Sequence, residues 1–195
     1  MEKKLKIDAI IKDGLDIGLK NAVPILVNAL LFILTVWIPY INIGTIIGMF
    51  VGIPAKLSKG ESLSMTEIFN PDYRKSMCEY FLTSGLIAAG ALAAFILVVP
   101  GIVLSIAWMF GPLLAVDKKK APIDALGLSA KVTYGNKGII FLSFLILMVV
   151  ACVIGIIFMM IPAIGWLLYL AVMVFAMFIG IGMETYCYKE LCSDL

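Results

Sequence analysis

The sequence predicts an all-α integral membrane protein: a single helical domain over residues 1–195, with six transmembrane helices arranged as three hairpins. Three observations predict it. First, 63% of the 195 residues are apolar and the mean hydropathy is +1.09, which is more apolar surface than a soluble core can hide. Second, three long runs carry no charge. Third, all the basic residues lie outside those runs.

The charge-free runs contain 35, 37 and 46 residues, over 21–55, 80–116 and 138–183. One span takes about 20 residues, because the hydrocarbon core is about 30 Å thick and a helix rises about 1.5 Å per residue. Each run therefore predicts two spans joined by a reversal. The predicted spans are 22–38, 41–57, 80–98, 102–116, 138–160 and 164–183.

A proline stands near the middle of each run, at Pro39, Pro100 and Pro162. Proline removes an amide donor and disfavours helix at the residue before it. These three positions are therefore the predicted hairpin turns, and the chain reverses at each of them rather than continuing as one kinked helix.

The positions of the Lys and Arg residues support the reversals independently. Five lie in 1–20, four in 56–79, five in 117–137 and one is Lys189. Six spans would put all fifteen on one side of the membrane. Positive charge prefers the cytoplasm, so both termini are predicted to be cytoplasmic, in a multi-pass protein of the cytoplasmic membrane of a prokaryote.

Each hairpin follows a polar stretch that predicts an amphipathic helix at the interface. In residues 3–20 an i, i+4 ladder of Asp and Lys lies away from an apolar face. Residues 64–67 have capping-box spacing, and Asn70-Pro71 predicts a further helix start. The third stretch begins at Ala121. The apolar face of the first helix consists of Ile7, Ile10, Ile11 and Leu15.

The order of elements predicts a threefold internal repeat, with units roughly over 1–57, 62–116 and 121–186. The best internal match is short: IDAI begins at Ile7 and IDAL at Ile123. The repeated order of interfacial helix, span, turn and span carries more weight than this identity.

Small residues follow helical spacing on two predicted spans. Gly44, Gly48 and Gly52 share one face of the second span, and Gly85 and Ala89 share a face of the third. Such faces let another helix backbone approach closely. They predict helix packing within the bundle, and packing between subunits is the alternative.

Two further features bear on transport. Gly52-Ile53-Pro54 and Gly111-Pro112 interrupt two helices, and broken helices build substrate sites in many transporters. Both breaks lie near the cytoplasmic interface, so they predict bends toward the next linker. Asn28 is the only amide well inside a span, and helix–helix hydrogen bonding is its expected role. Glu184 borders the last span and is expected to reach cytoplasmic water.

No pattern of residues in the sequence indicates catalysis. Histidine is absent, and the four cysteines lack the spacing of a metal site. No nucleophile–base pair, phosphate loop or nucleotide fingerprint occurs, so no catalytic residue, metal or cofactor is predicted. Lys118, Lys119 and Lys120 follow Asp117 and are predicted to contact anionic lipid headgroups. Nucleic-acid binding needs a broader basic surface.

Residues 98–137 contain a pattern that resembles a known family. Its members here are Pro100-Gly101, Pro112, Asp117, Ala125-Leu126, Ser129 and Gly135-Asn136. The pattern resembles the membrane domain attached to some glycerophosphodiester phosphodiesterases, and related uncharacterised multi-span proteins. Their phosphodiesterase is a separate barrel domain, for which these residues leave no room, so the resemblance implies a helical membrane module without hydrolase activity.

These observations predict a non-enzymatic membrane module that acts as a scaffold, an accessory subunit or a lipid-interacting protein. Its expected partners are membrane lipids, and other membrane-protein subunits or a second copy of itself. The alternative is a small transporter or exporter of a hydrophobic solute. A packed interior around Asn28 would favour the module, and a water-filled cavity there would favour transport.

Overall fold

A computed structural model describes residues 4–94, 98–162 and 164–195, and no strand occurs among them. The α-helices are α1 Ile7–Lys20, α2 Ala22–Thr35, α3 Pro39–Ile47, α4 Ile53–Ser58, α5 Asp72–Lys75, α6 Met77–Ala94, α7 Val98–Trp108, α8 Gly111–Asp117, α9 Pro122–Val132, α10 Lys137–Met159 and α11 Gly165–Cys192. A π-helical segment, Gly48–Gly52, joins α3 to α4. We call residues 59–76 linker two and 118–136 linker three.

Several helices are suited to a membrane. In the part of the chain that the structure describes, four helices could cross it by length and composition, namely Pro39–Ser58, Pro100–Asp117, α10 and α11. A fifth candidate forms if α1 and α2, bent by 72°, count as one span. The all-helical membrane fold class is thus confirmed at this coarse level, while six spans and the threefold repeat stay predictions.

Contacts between helix partners show where the chain reverses. The Phe32 and Phe50 rings lie 5.9 Å apart, Gly90 lies against Trp108, and Gly155 lies against Tyr169. Residues so far apart in one straight helix would be separated by about 20 Å or more, so the chain turns back between the members of each pair.

The three prolines occupy different places in these reversals. Pro39 is the first residue of α3 and Pro100 lies in the first turn of α7, where a missing amide costs no hydrogen bond. Pro162 lies in the turn between α10 and α11. Of the predicted third span, 80–98, residues 95–97 lie outside the described residues, and its predicted last residue is the first residue of α7.

Linker two differs from the prediction of an amphipathic helix before the second hairpin. It holds only a 3-10 turn, Glu67–Phe69, and the one-turn helix α5. Pro71 lacks an amide, and Gly60 has a left-handed φ of 73°. The Asn28 side chain also hydrogen-bonds the Ser64 carbonyl and the Ile68 amide of linker two, which a helix would need for its own backbone hydrogen bonds. Linker three contains a true helix, α9.

The N-terminal helix α1 packs antiparallel along α11, with Gly14 against Met183 and Gly18 against Phe178. A Cβ on Gly182 would overlap the carbonyl oxygen of Gly14. The glycines lower helix propensity, but they allow backbone contact between the helices. Of the predicted apolar face, Ile10 is buried and Leu15 is exposed.

The break between α7 and α8 is held by a serine from α9. The Ser129 hydroxyl donates to the carbonyl of Ala107 (2.7 Å) and accepts from the amide of Phe110 (3.2 Å). Gly111 and Pro112 begin α8, so the helix is interrupted as expected, and Ser129 satisfies backbone groups that the break frees.

Replacing Ser129 by Ala should lower the free energy of unfolding by about 1–3 kcal/mol, because two buried backbone groups lose their partner. The unfolding midpoint in detergent measures it. Ser105→Ala is the control. Among the described residues the Ser105 hydroxyl bonds only to Gly101 of its own helix, so its loss should change stability by less than about 0.5 kcal/mol. Equal effects of the two variants would contradict the role given to Ser129.

Candidate functional site

A charged cleft of about 420 Å³ lies between the end of Pro39–Ser58, linker two and the end of α8. Its volume is within the usual range of small-ligand sites. Apolar atoms of Val51, Gly52, Ala55 and Val116 contribute to the lining. The charged lining residues are Lys56, Lys59, Glu61, Asp72, Lys75, Asp117 and Lys119.

Glu67 organises one wall of the cleft from a buried position. Lys56 Nζ donates to Glu67 Oε2 (2.8 Å) and the Tyr73 hydroxyl donates to Glu67 Oε1 (2.7 Å). Burial opposes ionisation of Glu67, but the hydrogen bonds from Lys56 and Tyr73 outweigh it and lower its pKa. Burial and the Glu67 contact raise the pKa of Tyr73. The carboxylate therefore stays charged and the phenol stays protonated near neutral pH.

The lowered pKa of Glu67 predicts acid sensitivity. A carboxyl whose pKa is lower in the folded state stabilises the fold above its ordinary pKa of 4.5, and this stabilisation is lost as pH falls through the folded value. The unfolding midpoint of wild type should therefore be higher than that of Glu67→Gln at pH 7. The difference between the two midpoints should decrease below pH 4.5. Midpoints measured in detergent across this range test it. A constant gap would show that the charge of Glu67 does not stabilise the wall.

Asp117 joins three parts of the molecule at the edge of the cleft. It forms an ion pair with Lys59, and its Oδ2 accepts a hydrogen bond from the Tyr188 hydroxyl at 3.0 Å. The Asp117 side chain is only 5% exposed. The ends of Pro39–Ser58, α8 and α11 therefore meet at one level.

Three of the four cleft lysines have acidic partners. Lys56 pairs with Glu67 and Lys59 with Asp117, while Lys75 pairs with Asp72 at 2.6 Å. Lys119 and Glu61 are exposed, and within the described part of the chain neither side chain has an ion-pair or hydrogen-bond partner. The cleft thus offers one ammonium and one carboxylate to a ligand.

The predicted lysine cluster is divided by the structure. Lys119 has a left-handed φ of 50° and lines the cleft. Lys118 lines a second depression beside Tyr188 and Lys189, and Lys120 lines a third beside α9. The three side chains therefore do not form one patch.

The glycine face of the second predicted span contacts linker two. A Cβ on Gly44 would lie 3.1 Å from Arg74 Cγ, and one on Gly48 would lie 2.7 Å from Ile68 Cα. Gly52 lies against the Tyr73 ring. The close approach occurs, but the partner is the linker and not another span.

The small face of α6 has a different environment. Gly85 has no atom within 4 Å of an added Cβ, and Ala89 is exposed. Packing of Gly85 within the chain is therefore not found among the described residues, because none of their helices reaches it. Packing of this face between subunits stays a prediction.

Asn28 is fully buried, and both the nitrogen and the oxygen of its side-chain amide are hydrogen-bonded. Its Nδ2 donates to the carbonyls of Pro24 (2.9 Å) and Ser64 (2.8 Å), and its Oδ1 accepts from the amide of Ile68 (3.0 Å). Its partner outside α2 is linker two, not the neighbouring helix that the sequence suggested.

The sequence did not place Glu61, Glu67 or Tyr73 at a site, because nothing in their spacing marks them as neighbours. Glu67 stood out only as the end of the capping-box spacing at 64–67, and its carboxylate instead bonds to Lys56 and Tyr73. Among the described residues, no three His, Cys, Asp or Glu side chains form a group that could hold a metal ion. Residues of the family-like pattern have structural contacts: Asp117 and Ser129 are described above, and Asn136 accepts from the amide of Leu5 at 2.8 Å.

Comparisons with protein-family models, with curated proteins and with solved structures found no match. The resemblance to the membrane domain of some glycerophosphodiester phosphodiesterases therefore stays a prediction.

Proposed function

We propose that this chain is a non-enzymatic integral membrane module that binds phospholipid headgroups at its cytoplasmic face and acts there as a scaffold or accessory subunit. The cleft between linker two and α8 carries the proposal, because it combines apolar lining with a lysine and a glutamate that have no ion-pair partner among the described residues. Membrane lipids are its principal partners, and the exposed face of α6 is available to a second copy or another subunit.

The charges of the cleft favour a headgroup with both a phosphate and an ammonium. Lys119 supplies a cation for the phosphate, and Glu61 supplies an anion for the ammonium of an ethanolamine headgroup. Val51 and Val116 contribute apolar surface for the first methylenes of the acyl chains. A lysine near an anionic group at a membrane surface contributes about 1 kcal/mol.

The proposed topology keeps both termini and all linkers in the cytoplasm of a prokaryotic cell, at its cytoplasmic membrane. The count of fifteen basic residues supports it. So does the Lys59–Asp117 pair, since it joins linker two to the end of α8. The charge-free runs predict six spans, and four spans remain if the first hairpin does not cross the membrane. Either number keeps every linker on one side.

Burial of Asn28 supports a module over a transporter of a hydrophobic solute. The residue has no exposed surface, and both its amide nitrogen and its oxygen are hydrogen-bonded. Ile68, whose amide donates to Asn28, belongs to a buried apolar cluster with Ile25, Met49 and Ile53. A packed interior of this kind is expected of a scaffold, whereas a solute path needs polar groups that face a cavity.

Native mass spectrometry of the purified protein with added phosphatidylethanolamine or phosphatidylglycerol tests the headgroup site. Lys119→Gln and Glu61→Gln should each lower retained phosphatidylethanolamine by about fivefold, the equivalent of about 1 kcal/mol. Lys120→Gln removes the same charge outside the cleft and should have little effect. Glu61→Gln should leave phosphatidylglycerol binding unchanged. Equal losses from the Lys119 and Lys120 variants would contradict a specific site.

A further inference from the structure

Hairpin one, which comprises α2 and the helix Pro39–Ser58, has a basic side chain beside its tip. Arg74 of linker two packs its Cγ against Gly44 and places its guanidinium 4.5 Å from the centre of the Tyr40 ring. Tyr40 is the residue after Pro39, at the reversal. The tip of hairpin one and linker two are therefore neighbours.

This contact conflicts with a hairpin that crosses the bilayer. If Pro39–Ser58 ran along the membrane normal from Lys59 at the inner surface, Gly44 would lie about 22 Å inside, at about 1.5 Å per residue. Its neighbour Arg74 stands between Asp72 and Lys75, whose side chains are 67% and 78% exposed. Such charged groups do not face hydrocarbon at that depth, since each costs about 2.5–3.5 kcal/mol.

The cleft leads to the same conclusion. Asp72 and Lys75 line it together with Asp117 and Lys119 at the end of α8, and with Gly52 from the middle of hairpin one. Linker two, linker three and the middle of hairpin one therefore lie at one level. The helix Pro39–Ser58 must be inclined strongly toward the membrane plane.

Helix α2 is also short for a span. Its 14 residues extend about 21 Å, against about 30 Å of hydrocarbon. It is bent by 72° from α1, and α1 packs along α11. Helix α2 therefore departs from the direction of α11 and runs across the helix bundle rather than parallel to α11.

The two faces of hairpin one have different surroundings. One face is covered by linker two, through Asn28, Gly48 and Ile68. Phe50 stands about half a helical turn from the glycines and is 55% exposed. The opposite face of α2 is an exposed apolar stripe at helical spacing, made of Val23, Leu26, Leu30, Ile33 and Leu34.

We propose that hairpin one is re-entrant: it lies in the cytoplasmic leaflet, with linker two between it and the cytoplasm and its apolar stripe against acyl chains. Trp37 and Tyr40 then lie at the level of the inner interface, where both residue types are enriched. The inference is independent of the headgroup site, because a re-entrant hairpin leaves every linker on the cytoplasmic side.

Thiol labelling at two matched reversals tests the proposal in a variant whose four native cysteines are replaced by Ala. Trp37 is 84% exposed in the first reversal and Met160 is 80% exposed in the third. In intact cells a membrane-impermeant maleimide should label Met160→Cys and not Trp37→Cys. Labelling of Trp37→Cys in intact cells, to the extent seen at Met160→Cys, would overturn the proposal.

A disulfide tests whether the contact that carries the inference exists in the bilayer. A Cβ on Gly44 lies 3.1 Å from Arg74 Cγ, so the Cβ atoms at the two positions are farther apart by at most one C–C bond, near the usual Cβ–Cβ separation of about 3.5–4.5 Å in disulfides. Gly44→Cys with Arg74→Cys should therefore crosslink under mild oxidation of membranes. Gly85→Cys with Arg74→Cys is the control and should not crosslink. Failure of the first pair alongside normal folding would also overturn the proposal, whereas lipid binding at Lys119 would be unaffected.

Discussion

Replacing Gly182 by Ala should destabilise the protein by about 3 kcal/mol, at the upper end of the usual cost of overpacking. The new methyl group would overlap the carbonyl oxygen of Gly14. The neighbouring atoms are backbone, so no flexible side chain can move aside. Helices α1 and α11 must separate, and α1 loses its packing along α11. Unfolding in a detergent series and proteolysis within α1 measure the loss.

Gly85→Ala is the matched control, because it makes the same change in a helix where an added Cβ meets nothing within 4 Å. Alanine favours helix over glycine by up to about 1 kcal/mol. Gly85→Ala should therefore leave stability unchanged or raise it. Destabilisation of similar size by both variants would contradict the tight α1–α11 contact.

Replacing Asn28 by Leu should cost about 2–5 kcal/mol, because the Ser64 carbonyl and the Ile68 amide lose their partner. Leucine has the same branching as asparagine but is bulkier, so no cavity forms and the loss combines missing hydrogen bonds with overpacking. Linker two should detach from hairpin one. Cleavage by trypsin at Lys59 or Lys75 should become faster, and the unfolding midpoint in detergent should fall.

Thr35→Val is the control for Asn28→Leu. It also removes a polar group from α2, but within the described residues the Thr35 hydroxyl donates only to carbonyls of its own helix. Its stability and its cleavage pattern should match wild type. If Asn28→Leu leaves linker two as resistant as Thr35→Val does, the linker is held by other contacts and the assigned role of Asn28 is wrong.

Local features of the sequence predicted the helices and the reversals. Apolar runs set the helices, and Pro39, Pro100 and Pro162 mark the places where a helix cannot continue without cost. Helix ends differ from the predicted spans: α2 stops at Thr35, three residues before the predicted end, and α11 continues to Cys192, nine residues beyond it. Ends depend on individual hydrogen bonds, which a hydrophobic pattern does not specify.

Contacts between distant segments could not be predicted in the same way. Gly14 and Gly18 look like weaknesses of an isolated helix, since their partner Gly182 is far along the chain. The four-residue spacing of the two glycines is the signal that could have shown a close helix contact. Likewise Asn28 looks like a helix-to-helix donor, because nothing local indicates that linker two folds over hairpin one.

Some features of the cleft could be predicted from the sequence and others could not. Lys119 stands out in a basic cluster, but the cluster does not show that Lys118 and Lys120 face other depressions. Glu61 and Glu67 are ordinary acids of a polar linker. Their different surroundings, one exposed and one buried between Lys56 and Tyr73, follow only from the path of linker two.

Sidedness of the cleft tests the central claim most directly, because a headgroup site on linkers two and three requires both to face the cytoplasm. Single cysteines at Ser62 and Lys119, in the variant without native cysteines, should react with an impermeant maleimide only after the cells are permeabilised. Labelling of either position in intact cells would place the cleft outside and contradict the account.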